Sequence, residues 1–475
     1  MLRSIGSVTF LALLMVGCGG GGGDASSPPP PPPPNGYTVG GTVSGLAGSG
    51  LTLELCSGNR QSFKCHSSLQ VGANGAFTFD SIYPAGYSGG DYVFIGGQPS
   101  SPTQLCVVGN PIVTIQNAND TSVTVTCADY NEYAYVTNAA DNTLSVYLVD
   151  ATTGGLSVVG TPIATGASPY AIARLDLGGG SRFVFVGNEG SNDVSAFAVN
   201  SATGALTAVP GSPFPAGTDP KAMAMMGTIC GYSLYVANAG SDTVSAYPID
   251  VNTGALAGPA TIATGKGPSS IAVDETRGMI YVANNGGSND IAAFSVDTGA
   301  CPIMIPVPGS PFPAGGNPLS LEFGVGGKFL YSANPDATTP SVSGFSIDPA
   351  TGALSPVSGS PFPLPVSHYM AIEQTGIQTG NGPISGYLYV TTDASIVGYA
   401  FDWTTGALTA LPGFPVATGA NAYSVNIVGN QFLYVANDGA ANVSGFALDL
   451  LTGALTPMAG SPFPAGNHPK FIAMF

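Results

Sequence analysis

A short apolar run led by an aromatic residue returns seven times in this 475-residue chain, at Tyr135, Phe185, Tyr235, Tyr281, Tyr331, Tyr389 and Tyr434. Successive copies stand 50, 50, 46, 50, 58 and 45 residues apart. Each unit reads as strand (YVAN), loop (AGSD), strand (VSAYPID), turn (TGAL), strand, loop (AGxxP) and strand (IAV). A near-constant period with four strand-like segments per unit describes a radial array of small sheets, a β-propeller, and seven units make seven blades.

The register predicts how the ring closes. Each repeat begins at the second strand of a blade, so its fourth segment becomes the innermost strand of the next blade. The last such segment, Phe471–Phe475, has no next blade and is expected to join Tyr133–Thr137 in the first. That pairing removes an open sheet edge. The propeller accordingly spans Tyr130–Phe475.

The recurring turn has a local cause. Asp150, Asp250, Asp348, Asp402 and Asp449 each stand four residues before a glycine, Gly154, Gly254, Gly352, Gly406 and Gly453. An Asp that bonds nearby backbone, with a Gly free to adopt positive φ, makes a compact hairpin. These acids lie in different blades with no local run of oxygens, so they read as turn residues and not as a calcium site. The Asn that closes YVAN (Asn138, Asn188, Asn238, Asn284, Asn334, Asn437) reads as a strand-end cap.

Composition agrees with an all-β chain: 8% of residues are charged, with 68 Gly and 40 Pro, as expected for many short strands and tight turns. The net charge of −17, from 10 basic and 27 acidic residues, argues against nucleic acid, which needs a basic footprint, and against capture by anionic lipid.

Three segments precede the ring. Residues 1–18 carry Arg3, an apolar run at Val8–Val16 too short to span a bilayer, and Gly17-Cys18, which together read as a secretory signal. Residues 19–36 form a tether of Gly19–Gly23 and Pro28–Pro34; the stiff proline part, at about 3.1 Å per residue, spans ~20 Å. Residues 37–127 alternate in strands at Tyr37–Val43, Leu51–Leu55, Ala76–Asp80, Tyr92–Ile95, Gln104–Val108 and Ser122–Thr126, a small antiparallel β-sandwich with a hairpin signal at Asn74-Gly75. Cys56, Cys65, Cys106 and Cys127 fit an oxidising compartment. Of three connectivities, the local one, Cys56–Cys65 and Cys106–Cys127, is expected. A zinc site from these cysteines with His66 lacks the CxxC spacing. Cys230 and Cys301 fall in loops on one rim of the ring and make a third disulfide plausible.

Chemistry is sought on the rim built by the second-to-third and fourth-to-first loops. Six residues after the apolar residue that opens each AGxxP segment stand Pro169, Pro220, Pro268, Pro318, His368, Ala422 and Pro469. His368 breaks a rule that five others keep, and such breaks tend to be functional. His468 lies one position earlier in its own repeat, Lys221 and Lys470 one later in theirs, and Lys266 two before its Pro. Either His could serve as general base, with Glu189 or Asp193 on a neighbouring loop to orient it or activate water. Catalytic candidates are therefore His368, His468 and Glu189, and rim candidates Lys221, Lys266, Lys470 and Asp193. No GxSxG, HExxH or phosphate loop occurs, and no metal or cofactor is implied.

Three resemblances add expectations. Met15-Val16-Gly17-Cys18 resembles the lipobox of bacterial lipoproteins, which implies lipidation at Cys18; with no Asp after Cys18 it implies outer-membrane sorting, and attachment through acyl chains alone. GTVSGL and VGANGAFTF resemble Ig-like or prealbumin-like modules of bacterial envelope proteins. The repeat, with TGAL, PGSPFPAG, P-x-x-I-A and F-L-Y-V-A-N, resembles the lactonase-type seven-bladed propeller family, which includes 6-phosphogluconolactonase-like and muconate-lactonising enzymes. That resemblance implies His, Arg and Glu side chains at the channel mouth. Here Arg174, Arg182 and Arg277 fall by register on the opposite rim, where they cannot bind a phosphate or carboxylate at the mouth. Two functions follow. One is a monomeric envelope lipoprotein that binds a protein, glycan or small molecule on one rim and meets the membrane only through its lipid anchor. The other is a hydrolase for an extracytoplasmic lactone, with His368 or His468 as base. The missing arginines favour the first.

Overall fold

The segments that lead each repeat are apolar on both faces, and the structure shows why: Glu132–Asn138 and its equivalents are second strands, sandwiched between neighbouring blades. The structure is a computed structural model. It describes residues 36–475 except 60, 61, 85, 86, 88–90, 100–103, 114, 116, 117, 130, 178–180, 297–301, 337, 365–367, 374–384 and 430. The predicted signal and nearly all of the tether, with Cys18, lie outside the described residues, as does Cys301. No described helix is long and apolar enough to cross a membrane.

Residues 132–475 form one compact unit, a ring of seven sheets. Blade 2 is representative, with strands Pro169–Asp176, Arg182–Asn188, Asp193–Val199 and a broken outermost strand, Leu206–Ala208 then Phe214–Pro215. The inner strands of blades 3 to 7 are Pro220–Thr228, Pro268–Asp274, Ser320–Phe323, Met370–Ile372 and Ala422–Val428. Blade 1 takes its inner strand from the other end of the unit. Pro469–Met474 pairs antiparallel with Glu132–Asn138, placing Ile472 opposite Val136 and Ala473 opposite Tyr135. The expected closure is the observed one.

Each pair of adjacent blades encloses its own apolar cluster, as with Val136, Tyr147, Tyr434 and Ile472 between blades 7 and 1. Polar bonds cross the same seams. The strand-leading tyrosines donate to the turn glycines of the following blade: Tyr135 Oη to Gly204 O (3.1 Å), Tyr281 to Gly352 (2.8 Å), Tyr331 to Gly406 (2.9 Å), Tyr389 to Gly453 (2.8 Å) and Tyr434 to Gly154 (2.6 Å). The turn Asp works as its sequence suggests: Asp150 Oδ1 accepts from Thr152 N and Thr153 N at 2.9 Å. Gly154 has φ of 73°, and a Cβ there would stand 2.6 Å from the Phe432 ring. In SPFP the serine replaces a ladder carbonyl where the outer strand bulges: Ser212 Oγ accepts from Ala196 N (2.8 Å) and Ser461 Oγ from Gly445 N (2.9 Å). The prolines beside it blunt the outer edge against pairing with another chain.

The N-terminal unit, ending at Asn131, has two sheets around one core that includes Val39, Leu53, Phe79, Val93 and Val123. One sheet orders Gly75–Tyr83, Tyr37–Ser44, Asp120–Asp129 and Gln104–Gly109; the other orders Ser62–Val71, Leu51–Asn59 and Asp91–Gly97. Three expectations need correction. The sandwich is not wholly antiparallel, because Tyr37–Ser44 runs parallel to Asp120–Asp129. Ser62–Val71 is a further strand. Asn74-Gly75 closes no hairpin, since the strands on either side of it pair in different sheets. Asn74 instead brackets the Leu46 backbone, accepting from its N–H at 2.7 Å and donating to its carbonyl at 2.8 Å.

Both local disulfides are present, Cys56–Cys65 and Cys106–Cys127, each joining cross-strand neighbours. Their sulfurs are therefore unavailable to zinc. His66 Nε2 is committed to Asp91 Oδ2 at 3.0 Å, a buried carboxylate that also accepts from Tyr83 Oη (2.6 Å) and Tyr87 Oη (2.8 Å). Cys230 is disulfide-bonded.

Candidate functional site

Inner strands start on the rim where fourth-to-first loops enter, so the residues that directly follow the Pro, His or Ala of each AGxxP segment ring the channel mouth. In chain order these are Tyr170, Lys221, Ser269, Leu319, Tyr369, Tyr423 and Lys470. Blades 2 and 6 are not neighbours, yet Tyr170 Oη lies 2.9 Å from Tyr369 Oη and also meets Tyr423 Oη. The three rings close around Phe471, with centroids 5.0 Å (Tyr369) and 5.3 Å (Tyr170) from it. These contacts bridge the channel between blades 1, 2, 6 and 7. Burial pushes the Tyr170 and Tyr369 hydroxyls well above the ordinary tyrosine range, so both stay protonated. Over blades 2 to 5 the mouth stays open as a cavity of about 280 Å³, lined by Tyr170, Asp219, Lys221, Ser269, Asn285 and Leu319 among others.

Two lysines cap the aromatic side. Lys470 Nζ sits 4.3 Å from the Tyr423 ring centroid and Lys221 Nζ 4.4 Å from that of Tyr170, in cation–π geometry. Each is held by the acid that follows a strand-two Asn in the preceding blade. Lys470 reaches Asp438 Oδ1 at 3.0 Å, and Lys221 reaches Glu189 Oε1 at 2.7 Å and Asp219 Oδ1 at 3.2 Å. Tyr170–Glu189–Lys221 and Tyr423–Asp438–Lys470 are thus one constellation written twice. Burial pulls the Lys221 ammonium down, but Glu189 and Asp219 together outweigh it and hold its pKa above the usual value. Desolvation raises the Asp219 carboxyl.

Asp438 is the hub of the second copy. It is 8% exposed and accepts from Asn421 Nδ2 (2.5 Å), His468 Nδ1 (3.1 Å) and Lys470 Nζ (3.0 Å). In the neutral tautomer that donates to this carboxylate, the ring proton is on Nδ1 and Nε2 is the nitrogen with the lone pair. His468 also sits at φ 53°, where other blades place Ser168, Asp219, Gly267 and Asn421 in the same left-handed region. Non-glycine residues are uncommon there, with Asn, Asp and His the enriched types.

His368 stands where five repeats have proline and uses the N–H that proline lacks, donating to Thr391 O at 2.9 Å. Its Nε2 meets Asp393 Oδ1 at 3.0 Å, but Asp393 is 79% exposed, so water screens that pair. Glu189 faces Lys221 and neither histidine. Lys266 pairs with Asp242 at 2.6 Å on the outer rim. Asp193 accepts from Asn188 Nδ2 at 2.6 Å and belongs to the strand-end network. The arginines are on the far rim: Arg182 bonds Asp176 at 3.1 Å and Arg277 bonds Asp274, while Arg174 packs over the Phe475 ring. Sequence reasoning missed Asp438, Asp219, Tyr170, Tyr369 and Tyr423. The signal for Asp438 was present: an acid follows the strand-two Asn only in the two repeats (NEG, NDG) whose next inner strand opens with Pro-Lys.

The family model described as "Lactonase, 7-bladed beta-propeller" matches residues 112–219. Among curated proteins, none matches the chain. Similar solved structures include proteins provisionally named 6-phosphogluconolactonases. That from Bacteroides uniformis has 18% identity and a TM-score of 0.60, covering 73% of this chain and 99% of the other. That from Bacteroides fragilis has 21% identity and a TM-score of 0.59, covering 73% and 98%. The periplasmic gluconolactonase of Pseudomonas aeruginosa has 17% identity and a TM-score of 0.53, covering 73% and 98%. At these identities the likeness is one of fold: residues 132–475 are a seven-bladed propeller similar to those of the lactonase family.

Proposed function

We propose that the propeller hydrolyses an uncharged lactone at the tyrosine-bridged mouth, with His468 as general base and Asp438 as the group that orients it. The observation that carries this reading is the Asp438 hub, a buried carboxylate bonded to Nδ1 of a largely exposed His468. In this reading Nε2 takes a proton from water as the water oxygen attacks the lactone carbonyl. The tetrahedral intermediate then expels the ring oxygen, which leaves as a hydroxyl after receiving that proton. Charge sets the substrate class. Lys221 and Lys470 are each already paired, and Glu189, Asp219 and Asp438 stand beside them. Such a rim disfavours phosphorylated or carboxylated ligands. The two disulfides favour an oxidising compartment, and on this reading residues 1–18 act as an export signal with Cys18 as the lipid anchor.

The test uses the purified full chain on neutral, acidic and phosphorylated lactones. Neutral lactones are hydrolysed, Asp438→Asn and His468→Ala each lower kcat by about 100-fold or more, and His368→Ala retains turnover. Activity confined to phosphorylated lactones would overturn the reading. A second reading, a binding module for a protein or glycan, is favoured by one observation: the tyrosine bridge leaves the mouth shallow on the side of blades 1, 2, 6 and 7. It gains if no lactone is turned over and envelope material is retained on the immobilised chain.

A further inference from the structure

In the N-terminal unit three side chains converge on one buried carboxylate. Asp91, the first residue of Asp91–Gly97, is 1% exposed. Its Oδ2 accepts from Tyr83 Oη at 2.6 Å and meets His66 Nε2 at 3.0 Å, while its Oδ1 accepts from Tyr87 Oη at 2.8 Å. The partners come from both sheets: His66 from Ser62–Val71, Tyr83 from the end of Gly75–Tyr83, and Tyr87 from the segment after it. The Tyr83 and Tyr87 ring centroids lie 4.7 Å apart. A third phenol stands beside them. Tyr37 is the cross-strand partner of Tyr83, so both rings leave the sheet on one face. It is 3% exposed, and its hydroxyl is buried with no hydrogen-bond partner among the described residues. Native cores seldom leave such a group unpaired.

We propose that Asp91, Tyr83, Tyr87 and His66 bind a ferric ion. Carboxylate and phenolate oxygens with an imidazole nitrogen are ligands that hard, trivalent iron accepts. An octahedral shell with bonds of about 2.0 Å sets neighbouring ligand atoms about 2.8 Å apart. The three contacts on Asp91 span 2.6 to 3.0 Å. Charge selects the ion. Its entry displaces one proton from each of Tyr83 and Tyr87, so two protons leave. One carboxylate and two phenolates then offset three positive charges, with the imidazole neutral, and the buried site carries no net charge. A divalent ion on the same ligands would leave an unpaired negative charge. Zinc favours nitrogen and sulfur, and Cys56 and Cys65 are spent in a disulfide. Calcium takes about six to eight oxygens. In the ion-free protein, burial and the Asp91 carboxylate raise both tyrosine hydroxyls above their ordinary range; a cation reverses the sign of that field. The His66 side chain is 35% exposed and gives the ion a way in. An ion and the water it carries would also supply the partner that Tyr37 lacks. The site belongs to the N-terminal unit and does not rest on the lactonase reading.

The test uses the purified full chain, with the ion supplied as ferric nitrilotriacetate and the excess removed by gel filtration. One iron retained per chain, with a visible phenolate-to-iron charge-transfer band and a high-spin ferric resonance, supports the site. Tyr87 and His66 are both partly exposed, so Tyr87→Phe and His66→Ala are expected to fold, which circular dichroism checks. Each weakens ferric binding by about 100-fold or more, because loss of an outer-shell partner alone costs about 10- to 100-fold. At saturation Tyr87→Phe also loses charge-transfer intensity per bound iron, whereas His66→Ala keeps it. Asp91→Asn removes the charge and abolishes binding; should that variant unfold, the other two decide. A wild-type chain that retains no iron and shows no band overturns the proposal. So does an affinity and a band that neither Tyr87→Phe nor His66→Ala changes. Displacement of the iron by an equal concentration of zinc would overturn the choice of a trivalent ion.

Discussion

Glu322 stands in surroundings that disfavour its charged form. It occupies the fifth position of an inner-strand segment, where four other blades place Ala173, Ala224, Ala272 and Ala473. Two blades on, the same position holds Asn426, whose Nδ2 donates to Ile472 O at 3.2 Å. Glu322 has no such partner among the described residues, and burial alone pushes its carboxyl up to about 8. The sign follows. The folded chain holds a proton that the unfolded chain releases near the ordinary glutamate range, so stability falls as pH rises toward 8 and levels off above it. Glu322→Gln is therefore expected to match the wild type near pH 4. At pH 8–9 it should raise Tm by on the order of 5 °C. Calorimetry across that range checks it, and a constant difference at all pH values would show that titration is not the cause.

At the scale of the element, the tyrosine-to-glycine bonds explain two sequence motifs at once. The aromatic of YVAN and the glycine of TGAL lie about 70 residues apart in sequence and belong to different blades. Each hydroxyl is fully buried with its acceptor. Tyr434→Phe, at the seam of blades 7 and 1, leaves Gly154 O without its partner and is expected to cost about 1–3 kcal/mol, read from urea denaturation. Blade 2 already carries Phe185 at this position, so loss of one bond is tolerated and the variant folds. The fold was legible because the period, the Asp–Gly turns and the unpartnered last strand are local patterns. The site was legible only in part. His368 and His468 stood out as departures from the repeat, but Tyr170, Tyr369 and Tyr423 look like core aromatics until the ring brings them together across the channel. Asp438 carried no local signal of its bonds, because its three donors come from two segments 17 residues before it and 30 or more after it.

At the scale of the whole molecule, closure is what makes both the stability and the site. The segment Pro469–Met474 is the inner strand of blade 1 and supplies Ile472 and Met474 to the cluster shared with blade 7. Phe475 N bonds Tyr133 O at 3.2 Å, and the Phe475 ring packs on Tyr135 with the Arg182 guanidinium 5.3 Å from its centroid. Lys470 lies in this segment and His468 directly precedes it, so the proposed base is positioned only when the ring is shut. Removing residues 469–475 would leave Glu132–Asn138, whose residues beyond Glu132 are all buried, as an open apolar edge ready to pair with another chain. The truncated chain is expected to lose more than about 5 °C in Tm and to self-associate in sedimentation. Lys470→Ala, which keeps the strand, should instead keep the parent's oligomeric state with a Tm close to wild type. A truncated chain with the oligomeric state and stability of the parent would mean that the packing between the other blades, and not this strand, holds the ring closed.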